Sequence, residues 1–213
     1  MTMLIKTKPN EWEYMSESGN VYTLIQKGDK VTCTCKGFEY RHHCKHIALI
    51  PTVAKARYPR NAANEVKARF NSALQLAEQY CLTGSYRRKK ETIGDVDILI
   101  ETDDLSPIAD IIRKQPTVKI TMEGTEILRG TVDTIYGNIQ FDITRANRDE
   151  WATYLLYRTG SKDTNLAMRS RAKKLGLKLN EHGLWIDDAK LNTPTEEDVF
   201  YMLKLQYLEP EER

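Results

Sequence analysis

The sequence predicts an α+β chain in three parts: a small metal-stapled module, a unit built on a mixed sheet, and a mainly helical ending. Three observations carry this expectation. Cysteines and a histidine crowd into residues 33–46, strand-like runs alternate with a few helical ones between residues 66 and 144, and helical spacing dominates after residue 149.

Composition sets the bounds. At 213 residues, with 40% hydrophobic and 29% charged residues, the chain is long enough for a sizeable core, and neither disorder nor a membrane protein is expected. No run approaches the ~18 apolar residues of a membrane span. The start Met1-Thr2-Met3 lacks a signal-peptide pattern, so an intracellular, cytoplasmic location is expected, without excluding the nucleus. The net charge is only +2, yet it is unevenly spread. Nine Lys and Arg face three Glu between residues 51 and 91, and Arg158 to Lys178 holds seven basic residues against Asp163 alone. Residues 196–213 are acidic. Such basic runs are either solvated helix faces or the walls of a phosphate-backbone channel.

In the N-terminal module, Glu11–Tyr14 and Val21–Gln26 read as strands flanked by Gly-Asn and Gly-Asp turns. Cys33 and Cys35 sit at i and i+2 of a strand following Val31, hence on one face. Cys44 and His46 are expected to open a helix through Ile47, Leu49 and Ile50. Three thiolates and one imidazole make a closed tetrahedral set suited to structural zinc, with His42 and His43 as neighbouring imidazoles. Reduced core cysteines are the bland alternative, and a disulfide fits a reducing compartment poorly. So short a segment buries little apolar surface, so the metal would supply much of its folding free energy. Cys81 stands apart and reads as a buried thiol.

Tyr58-Pro59-Arg60 marks a boundary, after which Val66, Phe70, Ala73, Leu74, Ala77 and Tyr80 recur at helical spacing. Next comes Gly84-Ser85-Tyr86-Arg87-Arg88. Its Gly-Ser pair is expected to form a tight turn through which Ser85 and backbone N–H groups approach phosphate oxygens while Arg88 neutralises charge. Asp95–Glu101 reads as a strand in which Asp95 and Asp97 share one face, about 6.6–6.8 Å apart along the chain, and Val96 and Ile98 face the core. Paired carboxylates of this kind hold divalent metals for phosphoryl transfer. Pro107–Lys114 is expected to be a helix, and Val118–Met122, Glu126–Leu128, Val132–Tyr136 and Gln140–Thr144 strands. Asp142, amid the apolar residues of the last, is either a strand-edge acid facing solvent or a third carboxylate beside Asp95 and Asp97. Helices are expected over 149–157, 162–175 and 195–204.

Two resemblances sharpen this reading. Residues 1–52, with Cys33-x-Cys35 followed by Cys44-x-His46, resemble the SWIM-type zinc finger, a nucleic-acid- or protein-binding module. Gly84–Ile100 resembles the nucleotidyltransferase motif of family X DNA polymerases. Leu155-Leu156-Tyr157-Arg158-Thr159-Gly160-Ser161-Lys162 resembles that family's thumb motif, and Ala172–Leu184 and Glu196–Pro210 follow it too. The resemblance spans residues 55–213 and implies a palm at 53–148 with a mixed sheet and a mainly helical thumb at 149–213.

It also implies roles. Asp95 and Asp97 would hold two Mg2+ or Mn2+ ions, with Asp142 on the catalytic one near a primer 3′-hydroxyl. Gly84, Ser85 and Arg88 would grip the triphosphate, Gly94 would admit the nucleotide to the strand, and Arg57 would reach the γ-phosphate. Tyr157 and Gly160 would line the sugar pocket and Asn165 the base. Arg169, Lys173 and Lys174 would contact DNA. Three residues depart from the family. Arg158 replaces an aromatic at the ribose gate, Lys162 a residue often acidic, and Gln140 an arginine that pairs with the third aspartate, which is expected to leave Asp142 less constrained. The family's lyase and helix-hairpin-helix modules give way to the zinc module, so lyase activity is not expected.

The implied function is a monomeric DNA polymerase that adds deoxynucleotides to a primer, in short-gap or break repair. A template-independent terminal transferase and a non-catalytic DNA-binding module are the alternatives.

Overall fold

The computed structural model describes residues 3–8, 10–27, 30–42, 44–49 and 56–213. The chain divides into two compact units, Met1–Lys55 and Ala56–Arg213.

The first unit is an antiparallel meander of β1 (Met3–Lys8), β2 (Glu11–Met15), β3 (Val21–Lys27) and β4 (Lys30–Cys33), in that order, followed by α1 (Lys36–Arg41). Period-two alternation in β2 buries Trp12 and Tyr14, and the register sets Trp12 opposite Leu24 and Leu24 opposite Cys33. These side chains and Cys35 form the buried hydrophobic cluster described in this unit, which is a small core. Strand β1 carries no buried residue, and so it left no apolar alternation in the sequence. The helix expected from Cys44 is not there. The helical residues lie between the two ligand pairs, because Cys35 caps α1 by accepting a bond from the Phe38 N–H, and only a single 3₁₀ turn, Ile47–Leu49, follows His46. His43 and Ile50 lie outside the described residues.

The second unit opens with β5 (Tyr58–Pro59), α2 (Ala62–Arg69), α3 (Asn71–Leu74), β6 (Gln79–Leu82), α4 (Gly84–Arg87), β7 (Thr92–Ile93), β8 (Val96–Glu101), α5 (Ser106–Arg113), β9 (Val118–Glu123), β10 (Ile127–Thr134) and β11 (Gly137–Ala146). Five of the strands form a mixed sheet, β6-β8-β11-β10-β9, in which β8 and β11 run parallel and the other neighbours antiparallel. Its core joins Val66, Phe70 and Leu74 to Val96, Ile98, Ile100 and Phe141.

The single helix expected through Tyr80 breaks at Phe70, which caps α2. Val66, Phe70, Ala73 and Leu74 keep one buried face across the break, but Tyr80 pairs with Ile100 in β6, where strand pairing overrides the helical spacing. The two strands expected over 126–136 are one, β10. At its centre Gly130 lets Phe141 and the Lys119 carbonyl approach to where a Cβ would meet them at 2.7 and 2.5 Å.

Helix α6 (Trp151–Thr159) and helix α7 (Lys162–Lys174) precede a three-stranded antiparallel sheet of β12 (Leu177–Asn180), β13 (Gly183–Ile186) and β14 (Ala189–Lys190), then α8 (Glu196–Met202). Leu156, Met168, Leu184, Val199 and Phe200 form their core. The α+β expectation holds, with a palm-like mixed sheet and a mainly helical ending that also carries this small sheet. Among the described residues, no helix is long and apolar enough to cross a membrane.

Candidate active site and metal cluster

Strand β8 begins at Val96, so Asp95 stands just before the strand and Asp97 within it. Val96 and Ile98 are fully buried, which turns Asp97 to the opposite face of the sheet. Parallel pairing then makes Asp142 on β11 the register partner of Asp97 on β8. Because β11 lies inside the sheet, between β8 and β10, Asp142 is no strand-edge acid.

On the other flank of Asp142, the antiparallel register brings Arg129 of β10 opposite it, with Nε 3.0 Å from Oδ2. Asp142 is therefore held although Gln140 is not an arginine, which corrects the expectation of a loosened carboxylate. The sequence concealed this because the partner comes from the neighbouring strand, thirteen residues away.

Gly84 sits at φ +56°, and a Cβ there would lie 2.2 Å from Asp97 Oδ2, so glycine is required both by the turn and by the approach to the carboxylate. The one-turn helix α4, which begins at Gly84, sends its last residue Arg87 and its C-cap Arg88 to different partners. Arg87 leaves the site to bond Thr159 Oγ1 at 2.7 Å and both oxygens of Glu196. Arg88 donates to the Thr159 carbonyl. Burial lowers the Arg88 pKa from the ordinary arginine value, and the charge of Asp97 opposes that shift. Thr159 is fully buried and organises both arginines, a role that sequence reasoning missed although the residue stands in the Thr-Gly-Ser run.

A cleft of about 560 Å³ opens over these groups. It is lined by Arg57, Gly84, Ser85, Arg88, Asp95 and Asp97 from the earlier part of the unit and by Tyr157, Arg158, Gly160, Lys162, Asn165 and Arg169 from α6, α7 and the turn between them. Arg57 is anchored to Thr92 through Oγ1 at 3.1 Å and through the backbone carbonyl. Asn165 donates to the Tyr157 carbonyl at 2.8 Å. Gly94 is buried immediately before Asp95, and Lys173 and Lys174 lie exposed in the last turn of α7, outside the cleft lining. Arg158 points at the carboxylates, its Nη2 3.0 Å from Asp97 Oδ1 and 3.7 Å from Asp142 Oδ2. One cationic nitrogen between two carboxylates is the charge arrangement a divalent metal would find, so the donor set fits such an ion.

In the first unit, the donor atoms of Cys33, Cys35, Cys44 and His46 all lie within 4.8 Å of one another. Cys33 Sγ is 3.6 Å from His46 Nδ1. The spread suits four ligands around one ion with Zn–S of about 2.3 Å and Zn–N of about 2.0 Å. His46 is 7% exposed and its ring packs against both Tyr14 and Tyr22, at centroid distances of 4.7 and 4.8 Å, whereas His42 is exposed at the end of α1. Burial pushes the Cys33 thiol up to about 12, and burial with the charge of Lys45 lowers the His46 pKa, favouring the neutral imidazole that binds metal.

Two family models match the chain: the DNA polymerase beta palm over residues 57–142 and the DNA polymerase beta thumb over residues 154–213. The chain is 33% identical over 189 residues to DNA polymerase lambda of Rattus norvegicus, covering 74% of this chain and 33% of that protein. The chain belongs to family X of the DNA polymerases.

A DNA polymerase/3′-5′ exonuclease PolX of Bacillus subtilis is 25% identical over 158 residues, covering 73% of this chain and 28% of that protein. DNA polymerase IV of Saccharomyces cerevisiae is 38% identical over 65 residues, 30% of this chain and 11% of that protein. The chain thus spans a third or less of the length of these relatives. In family X terms, the five-stranded sheet with Asp97 and Asp142 is the palm, and α6 to α8 with their small sheet are the thumb. The cleft lies where palm and thumb face one another.

Proposed function

We propose that this family X chain is a DNA-directed DNA polymerase that joins deoxynucleotides to a primer 3′-hydroxyl, acting in short gaps or at breaks. The observation that carries the reading is the pairing of Asp97 with Asp142 on adjacent parallel strands, beside a cleft lined by Ser85 and Arg88. The relatives are named DNA polymerases, which supports the same chemistry here.

Asp95, Asp97 and Asp142 would hold two Mg2+ or Mn2+ ions, and these would supply activation of the attacking hydroxyl and charge stabilisation at the leaving pyrophosphate. The rest of the work is positioning, as phosphoryl transfer demands. Arg88 and Ser85 hold the triphosphate, and Arg57 meets its distal end. Gly84 and Gly94 keep Cβ atoms out of the way of the nucleotide and of Asp97. Tyr157 and Gly160 border the sugar, Asn165 the base, and Arg169 the template position. Arg129 fixes Asp142 in place. Lys173 and Lys174 contact the DNA backbone. We divide the chain into a zinc finger at 1–52, a palm at 53–148 and a thumb at 149–213. The first is a SWIM-like finger in which zinc on Cys33, Cys35, Cys44 and His46 supplies folding energy and the module grips DNA.

Primer extension on gapped, open-template and single-stranded DNA, with Mg2+ or Mn2+ and either deoxy- or ribonucleotides, tests the proposal. Templated extension on gapped DNA that Asp97→Asn abolishes is the expected result. Extension of single strands without template would assign a terminal transferase instead. Undiminished extension by Asp97→Asn would remove the metal role.

A further inference from the structure

The carboxylates of the palm already hold a cation, and it belongs to the chain. Arg158 Nη2 lies 3.0 Å from Asp97 Oδ1 and 3.7 Å from Asp142 Oδ2, and its side chain is only 15% exposed. Its Nε is buried without a hydrogen-bond partner among the described residues, so this pose costs free energy that the two carboxylates must offset. Asp97 Oδ1 accepts from Arg158, and Oδ2 faces the Gly84 turn, where a Cβ would stand 2.2 Å away. Asp142 Oδ2 is shared between Arg158 and Arg129. The position of Arg158 is no accident of a mobile helix end, because Thr159 beside it bonds Arg87 and Arg88.

We propose that Arg158 is a built-in counter-cation of the Asp97–Asp142 pair, which divalent metal must displace, so that metal loading and release of Arg158 are one event. The inference rests on the reading of Asp97 and Asp142 as metal ligands. A guanidinium and a dication cannot share the same carboxylate oxygens at close range without strong repulsion. The chain without nucleotide therefore binds divalent metal weakly. A released Arg158 stays within the cleft it lines with Ser85 and Arg88, where its charge meets a triphosphate. Nucleotide and metal each favour the released state, and so they bind cooperatively.

Mn2+ alone is the probe, titrated into the zinc-loaded full chain without DNA or nucleotide while the free-ion electron paramagnetic resonance signal is followed. Arg158→Met and, as a second neutral variant, Arg158→Gln are expected to bind Mn2+ roughly tenfold more tightly than the wild type, as loss of one charged hydrogen bond implies. Arg158→Lys returns the charge and restores weak binding. Adding Asp97→Asn must remove the gain. Equal, Asp97-dependent affinity in the wild type and both neutral variants overturns the counter-cation while leaving the metal role of Asp97 intact. Failure of Asp97→Asn to alter Mn2+ binding in any background overturns the metal reading as well.

Discussion

Arg87 and Glu196 join palm to thumb through two charged hydrogen bonds, 2.9 and 2.6 Å long, and Arg213 adds a third to the same carboxylate at 2.6 Å. Glu196 is 4% exposed and the Arg213 side chain is fully buried. Burial opposes the charge on Arg87, but the hydrogen bonds and charge of Glu196 outweigh it and raise the arginine pKa. Glu196→Gln leaves two guanidinium groups facing a neutral amide. It is expected to lower unfolding stability by about 3 kcal/mol in guanidinium titrations, the scale for breaking one side of a buried charge network. A loss within the usual surface range would show that the network contributes little.

Gly84→Ala forces a methyl group into the space of Asp97 Oδ2 at a positive φ. Displacing a catalytic group by about 1 Å costs roughly 100-fold in rate. Single-turnover extension should show that loss in rate, with DNA affinity little changed.

Arg129→Gln removes the side chain that orients Asp142 from the next strand. Primer extension at saturating metal is expected to fall about 10- to 100-fold, the usual effect of losing a partner that orients a metal ligand. Gln140→Ala, at an exposed position, should change little. The reverse ranking of the two variants would return the orienting role to Gln140.

Chelation is expected to unfold the first unit while sparing the second. On the proposed zinc site, the small cluster of Trp12, Tyr14 and Leu24 with Cys33 and Cys35 relies on the ion for much of its folding free energy. Limited proteolysis after removal of one equivalent of zinc should degrade the N-terminal unit and leave a resistant fragment beginning near Ala56. Identical digestion with and without chelator would count against a structural metal.

Lys173 and Lys174 lie exposed in the last turn of α7, outside the cleft lining. Replacing both with Ala should weaken DNA binding on every sequence alike and reduce the slope of log affinity against log salt by about 2. An unchanged slope would place the DNA backbone elsewhere.

The local grammar of this chain was legible without coordinates. Val96-Asp97-Ile98 announced a strand with Asp97 opposite its core face, Gly84-Ser85 a turn beside it, and the Cys-x-Cys and Cys-x-His pairs a candidate ligand set, because each depends on residues two to four apart; that the strand begins only after Asp95 was not legible. The approximate helices after residue 149 followed from the same short-range periodicity. Strand pairing across many residues was not legible. It joined 126–136 into one strand, drew Tyr80 out of a helix, and made Arg129 the partner of Asp142. The sequence likewise named Arg158 as the start of a basic stretch and as an unusual residue at a sugar gate, with no carboxylate partner. That it sits between Asp97 and Asp142 was decided by the tertiary fold, since α6 comes from the thumb and the two carboxylates from separate palm strands. Spacing along the chain thus determined which chemical groups are present. Register and packing between distant elements decided which charges face one another.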